Sequence, residues 1–235
     1  MSIFTNTEIE NLVKEALTPL CEIMNKYGSD KGTTGQGTSG HNYTKLYHHL
    51  FNDIRNDELK VLEVGIGSVN PELQSNMAWS RGYKPGASLR GWKEYFPNAF
   101  IYGCDFDEAT LFSEDRIKTF YIDQRSQDII LDQVRRNIKN VSFDIIIDDG
   151  LHECEVNLLT FACLYNSLKI GGTYIIEDLD PRAETLINNS GMINKLKEVG
   201  DLVQFVNLVS YSNIGDSCCL IVKKKAKTQI RVKTG

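Results

Sequence analysis

Long hydrophobic runs are missing from this 235-residue sequence. None approaches the ~18 consecutive apolar residues that a bilayer-spanning helix needs, so no membrane span is expected. The stretch from Met1 to Leu12 is broken by Asn6, Glu8, Glu10 and Asn11 and has no apolar core, which speaks against a secretory signal. Cysteine is present but unpatterned: Cys21, Cys104, Cys154, Cys163, Cys218 and Cys219 show no C-x-x-C spacing, and several sit inside apolar runs. They read as buried thiols in a reducing cytoplasm, not as a disulfide frame or a zinc site. An excess of positive charge is also absent. The formal net charge is -5, so the chain as a whole carries no nucleic-acid footprint. The exception is the tail from Lys223 to Gly235, with basic residues and no acidic one, which reads as a solvated terminus. There is no internal repeat. What remains is an ordinary globular composition, 41% hydrophobic and 24% charged, at a length that suits one αβ domain.

Residues 7–27 place Ile9, Leu12, Val13, Ala16, Leu17, Leu20 and Ile23 near helical spacing, with Thr7 as the expected N-cap and Pro19 expected to split the segment. Gly28 to Gly40 (GSDKGTTGQGTSG) is too rich in Gly, Ser and Thr to be core and reads as a linker or a loop that closes over a ligand. A second amphipathic helix is expected over 41–54.

From residue 59 the pattern changes. Apolar runs bounded by turn signals fall at 60–64, 100–104, 118–122, 143–147 and 173–176, then at 203–210 and 218–222. Helical stretches at 88–96, 107–112, 126–138 and 153–168 separate the early ones, the signature of βαβ units and a parallel sheet covered on both faces. Only the segment YSNIGDS separates the last two runs, too little for a crossover helix, so they should pair antiparallel. The fold class is therefore α/β, doubly wound and Rossmann-like: five parallel strands plus an antiparallel strand pair, with N-terminal helices. Among doubly wound folds this arrangement resembles the sheet used by class I S-adenosylmethionine (SAM) methyltransferases. A nucleotide-binding sheet, parallel throughout, is the competing architecture.

The first strand runs into Glu63, Val64, Gly65, Ile66, Gly67 and Ser68, and glycines at a strand's carboxyl end let backbone approach a ligand closely. The sequence does not continue as G-x-G-x-x-G, which disfavours a pyrophosphate cradle, and Glu63 suits a cationic ligand better than a phosphate. A tight turn with no ligand also explains the loop. Asp105 ends the second strand, where a carboxylate can accept both hydroxyls of an adenosine ribose, or simply cap the helix that follows. Asp123 and Gln124 end the third strand in the same way. The most specific signal is Asp148-Asp149-Gly150-Leu151-His152 after the fourth strand, joined by Glu177-Asp178 after the fifth. Carboxylates crowded at neighbouring strand ends repel unless a cation lies between them. Oxygen donors on rigid strand ends suit Mg²⁺. His152, three residues beyond Asp149, is placed to act as a general base; helix caps and a surface histidine are the bland alternative. His41 opens its helix just after the glycine-rich loop and suits a lid, whereas His48 and His49 read as surface and Cys218-Cys219 as core.

Taken in order, these pieces resemble a known family, the Mg²⁺-dependent sugar O-methyltransferases of the macrocin and mycinamicin type, related to the cephalosporin hydroxylases. The matching pieces are Y-G-S-D-K at 27–31, H-N-Y-T-x-L-Y at 41–47, L-E-V-G-I-G-S at 62–68 and G-A-S-L-R-G-W at 86–92. They continue with I-Y-G-C-D at 101–105, D-I-I-I-D-D-G-L-H at 144–152 and G-G-T-Y-I-I-E-D-L at 171–179. The resemblance implies Asp149, Glu177 and Asp178 as metal ligands and His152 as catalytic base. It also implies a SAM site formed by Glu63 to Val69, Ser88, Asp105, Asp123, Gln124 and Asp149. The large N-terminal auxiliary domain of the macrolide enzymes is not in this sequence. On this reading residues 1–55 form an N-terminal helical segment with a lid loop, 56–224 the methyltransferase domain and 225–235 a basic tail. The expected activity is O-methylation of a sugar hydroxyl on a small-molecule acceptor. A catechol-like or phosphorylated acceptor, or a noncatalytic binding module, are the alternatives. The apolar N-terminal helix offers a face for a second subunit, so a homo-oligomer is also in view.

Overall fold

A computed structural model describes residues 2–32, 34–35, 38–212 and 214–225. The central positions of the expected lid, 33, 36 and 37, and the tail from 226 lie outside the described residues.

Helix α1 (Asn6–Lys14) starts two residues earlier than its apolar spacing implies. Thr5 and Glu8 form a reciprocal capping box, which satisfies backbone donors that Thr7 as cap would leave open. Pro19 begins α2 (Pro19–Tyr27) behind a Thr18 cap, so the proline does split the segment. Gly28, at φ +77°, ends α2. Helix α3 (Tyr43–Phe51) follows the glycine-rich segment.

The main sheet contains β1 (Lys60–Val64), β2 (Phe100–Asp105), β3 (Ser113–Glu114), β4 (Ile117–Tyr121), β5 (Phe143–Asp148), β6 (Leu168–Ile176), β7 (Leu202–Asn207) and β8 (Cys218–Lys223). Its order is β3-β4-β2-β1-β5-β6-β8-β7. Strands β4, β2, β1, β5 and β6 run parallel, and β8 pairs antiparallel with both β6 and β7. The antiparallel register of β8 removes the all-parallel alternative. Helices α4 (Ala87–Tyr95), α5 (Gln127–Asn137) and α6 (Cys154–Leu164) occupy three of the expected positions. Three differences stand out. The helix expected at 107–112 is a single 3₁₀ turn, Glu108–Thr110, capped by Asp107. Strand β3 has two residues, too few to leave a periodic signal. Helices α7 (Ala183–Asn189) and α8 (Met192–Glu198) are seven residues each, broken by Gly191 at φ +71°, and offer only two buried positions apiece.

Two hydrophobic clusters cover the two faces of the sheet. In β5, Ile145 and Ile147 join one cluster and Ile146 the other, which is why the strand reads as a continuous apolar run. The first cluster also contains Ile9 and Leu12 of α1, so the apolar face of that helix is buried within the chain. Gly91 lets α2 and α4 close together: a Cβ there would lie 2.4 Å from Met24 Sδ. At the sheet's edge, Gln204 of β7 accepts from the amides of Ile3 and Phe4 and donates to the Phe4 carbonyl at 2.7–2.8 Å. Among the described residues no helix is long and apolar enough to cross a membrane.

Candidate functional site

The carboxyl ends of β1, β2, β4, β5 and β6 open into one cleft of about 620 Å³. Parallel strands bring these ends to one edge, where open αβ sheets bind ligands. Val64 to Ser68, Ser88, Asp105, Asp123, Gln124 and Asp149 line it, as do Asp178 and His152. Gly65, at φ +82°, lies so close to the β5 loop that a Cβ would meet the Asp149 carbonyl at 2.0 Å. Asp105, which lines the cleft, is held by the amides of Ile66 and Asp107 at 2.8 and 2.9 Å, one on each carboxylate oxygen. It is Asp107, not Asp105, that caps the short turn. Gln124 ties two strand ends together: its amide donates to Asp148 at 2.8 Å while its carbonyl accepts from the Leu151 amide at 2.9 Å.

Two expected cofactor residues lie elsewhere. Glu63 is fully buried, bonded to Ser88 Oγ at 2.7 Å and Trp92 Nε1 at 2.6 Å, and does not reach the cleft. Strand alternation points it at α4, which the sequence motif does not reveal. Val69 is 47% exposed and outside the cleft lining.

The carboxylates of β5 and β6 do converge. Asp148 pairs with Ile176 across the two strands, and Glu177 and Asp178 follow directly. Asp149, His152 and Asp178 each offer a ligand atom, all within 4.8 Å of one another. Two hard oxygens around a common point suit a divalent cation, and the imidazole stands beside them. His152 Nε2 is 3.4 Å from Asp149 and 3.6 Å from Asp178, and its Nδ1 is 3.0 Å from Ser75 Oγ. His152 and Asp178 both have left-handed backbone, φ +61° and +51°. Such conformations cost about 1–3 kcal/mol each and concentrate at functional sites. Burial alone would lower the His152 pKa, but the hydrogen bond and charges from Asp149 and Asp178 outweigh it and hold it at about 9. Burial pushes Asp178 up to about 6, aided by the Asp149 charge. Asp148, turned away from the cation site, is pushed by burial up to about 7.

The N-terminal segment packs directly behind this cluster. Tyr43 OH donates to Asp178 Oδ1 at 2.9 Å and accepts from the Asp178 amide at 3.1 Å. Tyr47 OH donates to Glu177 Oε1 at 2.6 Å. His41, stacked on Tyr43, has Nδ1 3.1 Å from Asp178 and from Ser217 Oγ. Lys31 is 1% exposed; its ammonium binds Asp149, lies 2.5 Å from Glu177 and 3.4 Å from Glu63. Glu177 thus has one oxygen on Tyr47 and the other on Lys31, and does not line the cleft. Reasoning from strand ends alone misses Lys31, Tyr43, Tyr47 and Ser75. The signal available was Tyr43 and Tyr47 four apart on one helix face, after a lone lysine in a glycine-rich stretch. His48 and His49 pair with Tyr95 and Glu15, away from the cleft.

A doubly wound sheet closed by an antiparallel strand, with an acidic cluster at its carboxyl edge, is the architecture of the Rossmann-like methyltransferases. In sequence the chain is related to the sugar O-methyltransferases of macrolide and tetracenomycin pathways. It is 38% identical over 140 residues to mycinamicin VI 2''-O-methyltransferase of Micromonospora griseorubida, covering 59% of this chain and 32% of that protein. Identity is 37% over 161 residues to demethylmacrocin O-methyltransferase of Streptomyces fradiae, covering 68% and 36%. Among solved structures, the MycE methyltransferase of the mycinamycin pathway, in complex with Mg, SAH and mycinamycin VI, superposes with a TM-score of 0.67 at 26% identity. That match covers 93% of this chain and 57% of the other. The aligned regions span about a third of the length of the curated relatives. It matches no protein-family model.

Proposed function

We propose that the chain is a SAM- and Mg²⁺-dependent O-methyltransferase acting on a hydroxyl of a sugar or glycosylated small molecule. The observation that carries this reading is the meeting of Asp149, His152 and Asp178 within 4.8 Å at the mouth of the β1 glycine loop. Asp149 and Asp178 are the proposed cleft-facing ligands, with Glu177 the third carboxylate behind them. The β1 loop, Asp105 and the 122–124 turn are the proposed SAM contacts.

SAM supplies, when bound, a methyl group already activated on a sulfonium, and the divalent ion supplies positive charge that favours ionisation of a neighbouring hydroxyl. The chain's own residues do the rest. With their charges offset by a held cation, Asp149 and Asp178 would no longer raise the His152 pKa, leaving Nε2 free to take the hydroxyl proton while Ser75 holds the ring through Nδ1. Asp149 and Asp178 would hold the cation, and the walls of the cleft would align the acceptor oxygen with the methyl carbon. Alignment contributes much of the rate in such a displacement, and the base adds roughly 10²–10⁴-fold. The free cysteines fit a cytoplasmic setting.

The test is calorimetry of SAM with the EDTA-stripped protein, repeated with Mg²⁺ and pooled sugar acceptors, followed by methyl-transfer assay. SAM binding at micromolar concentration, with acceptor turnover only when Mg²⁺ is present, is the expected result. Absence of SAM binding in both conditions sinks the reading; turnover of catechols but not sugars would move the acceptor class.

A further inference from the structure

Lys31 stands out in the acidic cluster. Its side chain is 2% exposed, and it reaches Asp149, Glu177 and Glu63 at once. No role for it follows from the chemistry of methyl transfer. An ammonium among buried carboxylates stands where a cation is needed to keep them together, because uncompensated buried charges are strongly destabilising. Its approach is also fixed by backbone. The His41 amide donates to the Asp30 carbonyl at 2.8 Å, the Thr44 amide to Lys31 at 3.2 Å and the Asn42 amide to Gly32 at 3.3 Å. These bonds close the stem of the glycine-rich segment on both sides of Lys31, so the ammonium is held in the cluster by the same stem that delivers His41 to Asp178.

We propose that Lys31 is an internal counter-cation of the metal site. Its ammonium bridges Asp149 Oδ2 and Glu177, and a divalent ion set against the other Asp149 oxygen must share that carboxylate's charge with it. Lys31 is thus a positioning residue that keeps the cluster assembled before metal arrives and weakens the affinity with which metal is held. The inference rests on reading the cleft as a divalent-metal site, and it predicts the opposite of what a ligand-supporting residue would give: removing Lys31 tightens metal binding.

The experiment compares wild type, Lys31→Met and Lys31→Gln by Mn²⁺ titration with electron paramagnetic resonance, and by thermal unfolding with EDTA or Mn²⁺. Both variants should bind Mn²⁺ at least about tenfold more tightly, because one competing positive charge has left a buried site. Their unfolding midpoints in EDTA should fall, with a larger recovery on adding Mn²⁺ than wild type shows. A variant folded only when Mn²⁺ is present supports the proposal, since the ion then does the ammonium's work. Folded variants that bind Mn²⁺ no more tightly than wild type overturn it, as do variants that stay unfolded in excess Mn²⁺. Tightening in Lys31→Met but not Lys31→Gln would assign the effect to shape and not to charge, and would also overturn it. SAM is not used in this readout. Failure here therefore leaves the methyltransferase reading standing, whereas failure of SAM binding sinks that reading alone.

Discussion

His41 and His152 meet on one carboxylate. The Nδ1 of His41 is 3.1 Å from Asp178 Oδ1, and the Nε2 of His152 is 3.6 Å from Asp178 Oδ2. One histidine comes from the N-terminal stem and the other from the loop after β5, so Asp178 joins parts of the chain far apart in sequence. Only His152 also faces Asp149, which gives the two rings different expected roles.

His152→Ala should lower methyl-transfer turnover by roughly 10²–10⁴-fold, the range of a lost general base. SAM affinity should stay close to wild type, because the SAM-facing loops do not depend on the imidazole. Steady-state kinetics beside calorimetry checks this, and wild-type turnover in the variant would remove His152 from the mechanism.

Tyr43→Phe takes away the hydroxyl that both donates to and accepts from Asp178. The Asp178 amide and one carboxylate oxygen lose a partner in a buried place, so unfolding free energy should drop by about 1–3 kcal/mol. Urea denaturation reads the loss, and an unchanged midpoint would mean that water replaces the hydroxyl.

Asp149→Asn should abolish activity together with its metal dependence. The carboxylate has two jobs, facing His152 on one oxygen and Lys31 on the other. Mg²⁺-stimulated turnover surviving in this variant would refute the proposed ligand set.

Gly65→Ala should abolish SAM binding. A side chain at φ +82° costs about 1–2 kcal/mol, and the new Cβ would press on the Asp149 carbonyl from 2.0 Å. Relief has to come from moving the β5 loop, which carries Asp149 and His152. A variant with unchanged SAM affinity and stability would show that the two loops part easily.

Thiol labelling tests the core. Burial pushes the Cys218 thiol up to about 12 and those of Cys104 and Cys219 well above their ordinary value. The thiolate is the nucleophile, so these should be silent at pH 8. Half-buried Cys154 and Cys163, also shifted upward by burial, should react slowly at pH 8 and faster as the pH is raised. Mass spectrometry of the labelled native protein counts the sites, and early labelling of Cys218 would contradict the packing of β8.

The strand ends were legible because they need only periodicity and turns. Ile145 to Ile147 announce a strand buried on both faces, and a carboxylate pair after such a strand falls at the sheet's open edge whatever the rest of the chain does. The direction of a side chain within the strand was not legible in the same way. Glu63 looks like a ligand residue in the glycine motif, yet its place in the alternation buries it against Trp92. The contribution of residues 31–47 is long-range: Lys31 meets Asp149 and Tyr47 meets Glu177 over more than a hundred residues of chain. Local spacing carries no record of such pairs. Helices α7 and α8 escaped for a different reason, being too short for two turns of amphipathic pattern.

The hold of Gln204 on Ile3 and Phe4 bears on how this protein behaves in concentrated solution. Strand β7 is the last of the sheet, and an uncovered last strand is a template on which another chain can extend the sheet. By engaging the backbone of residues 3 and 4, the Gln204 side chain holds Ile3 and Phe4 against the first hydrophobic cluster beside that strand. Truncation through Phe4, or a fusion that pulls these residues away, would leave the cleft in place on a molecule with apolar surface newly uncovered beside its last strand, prone to self-association and precipitation.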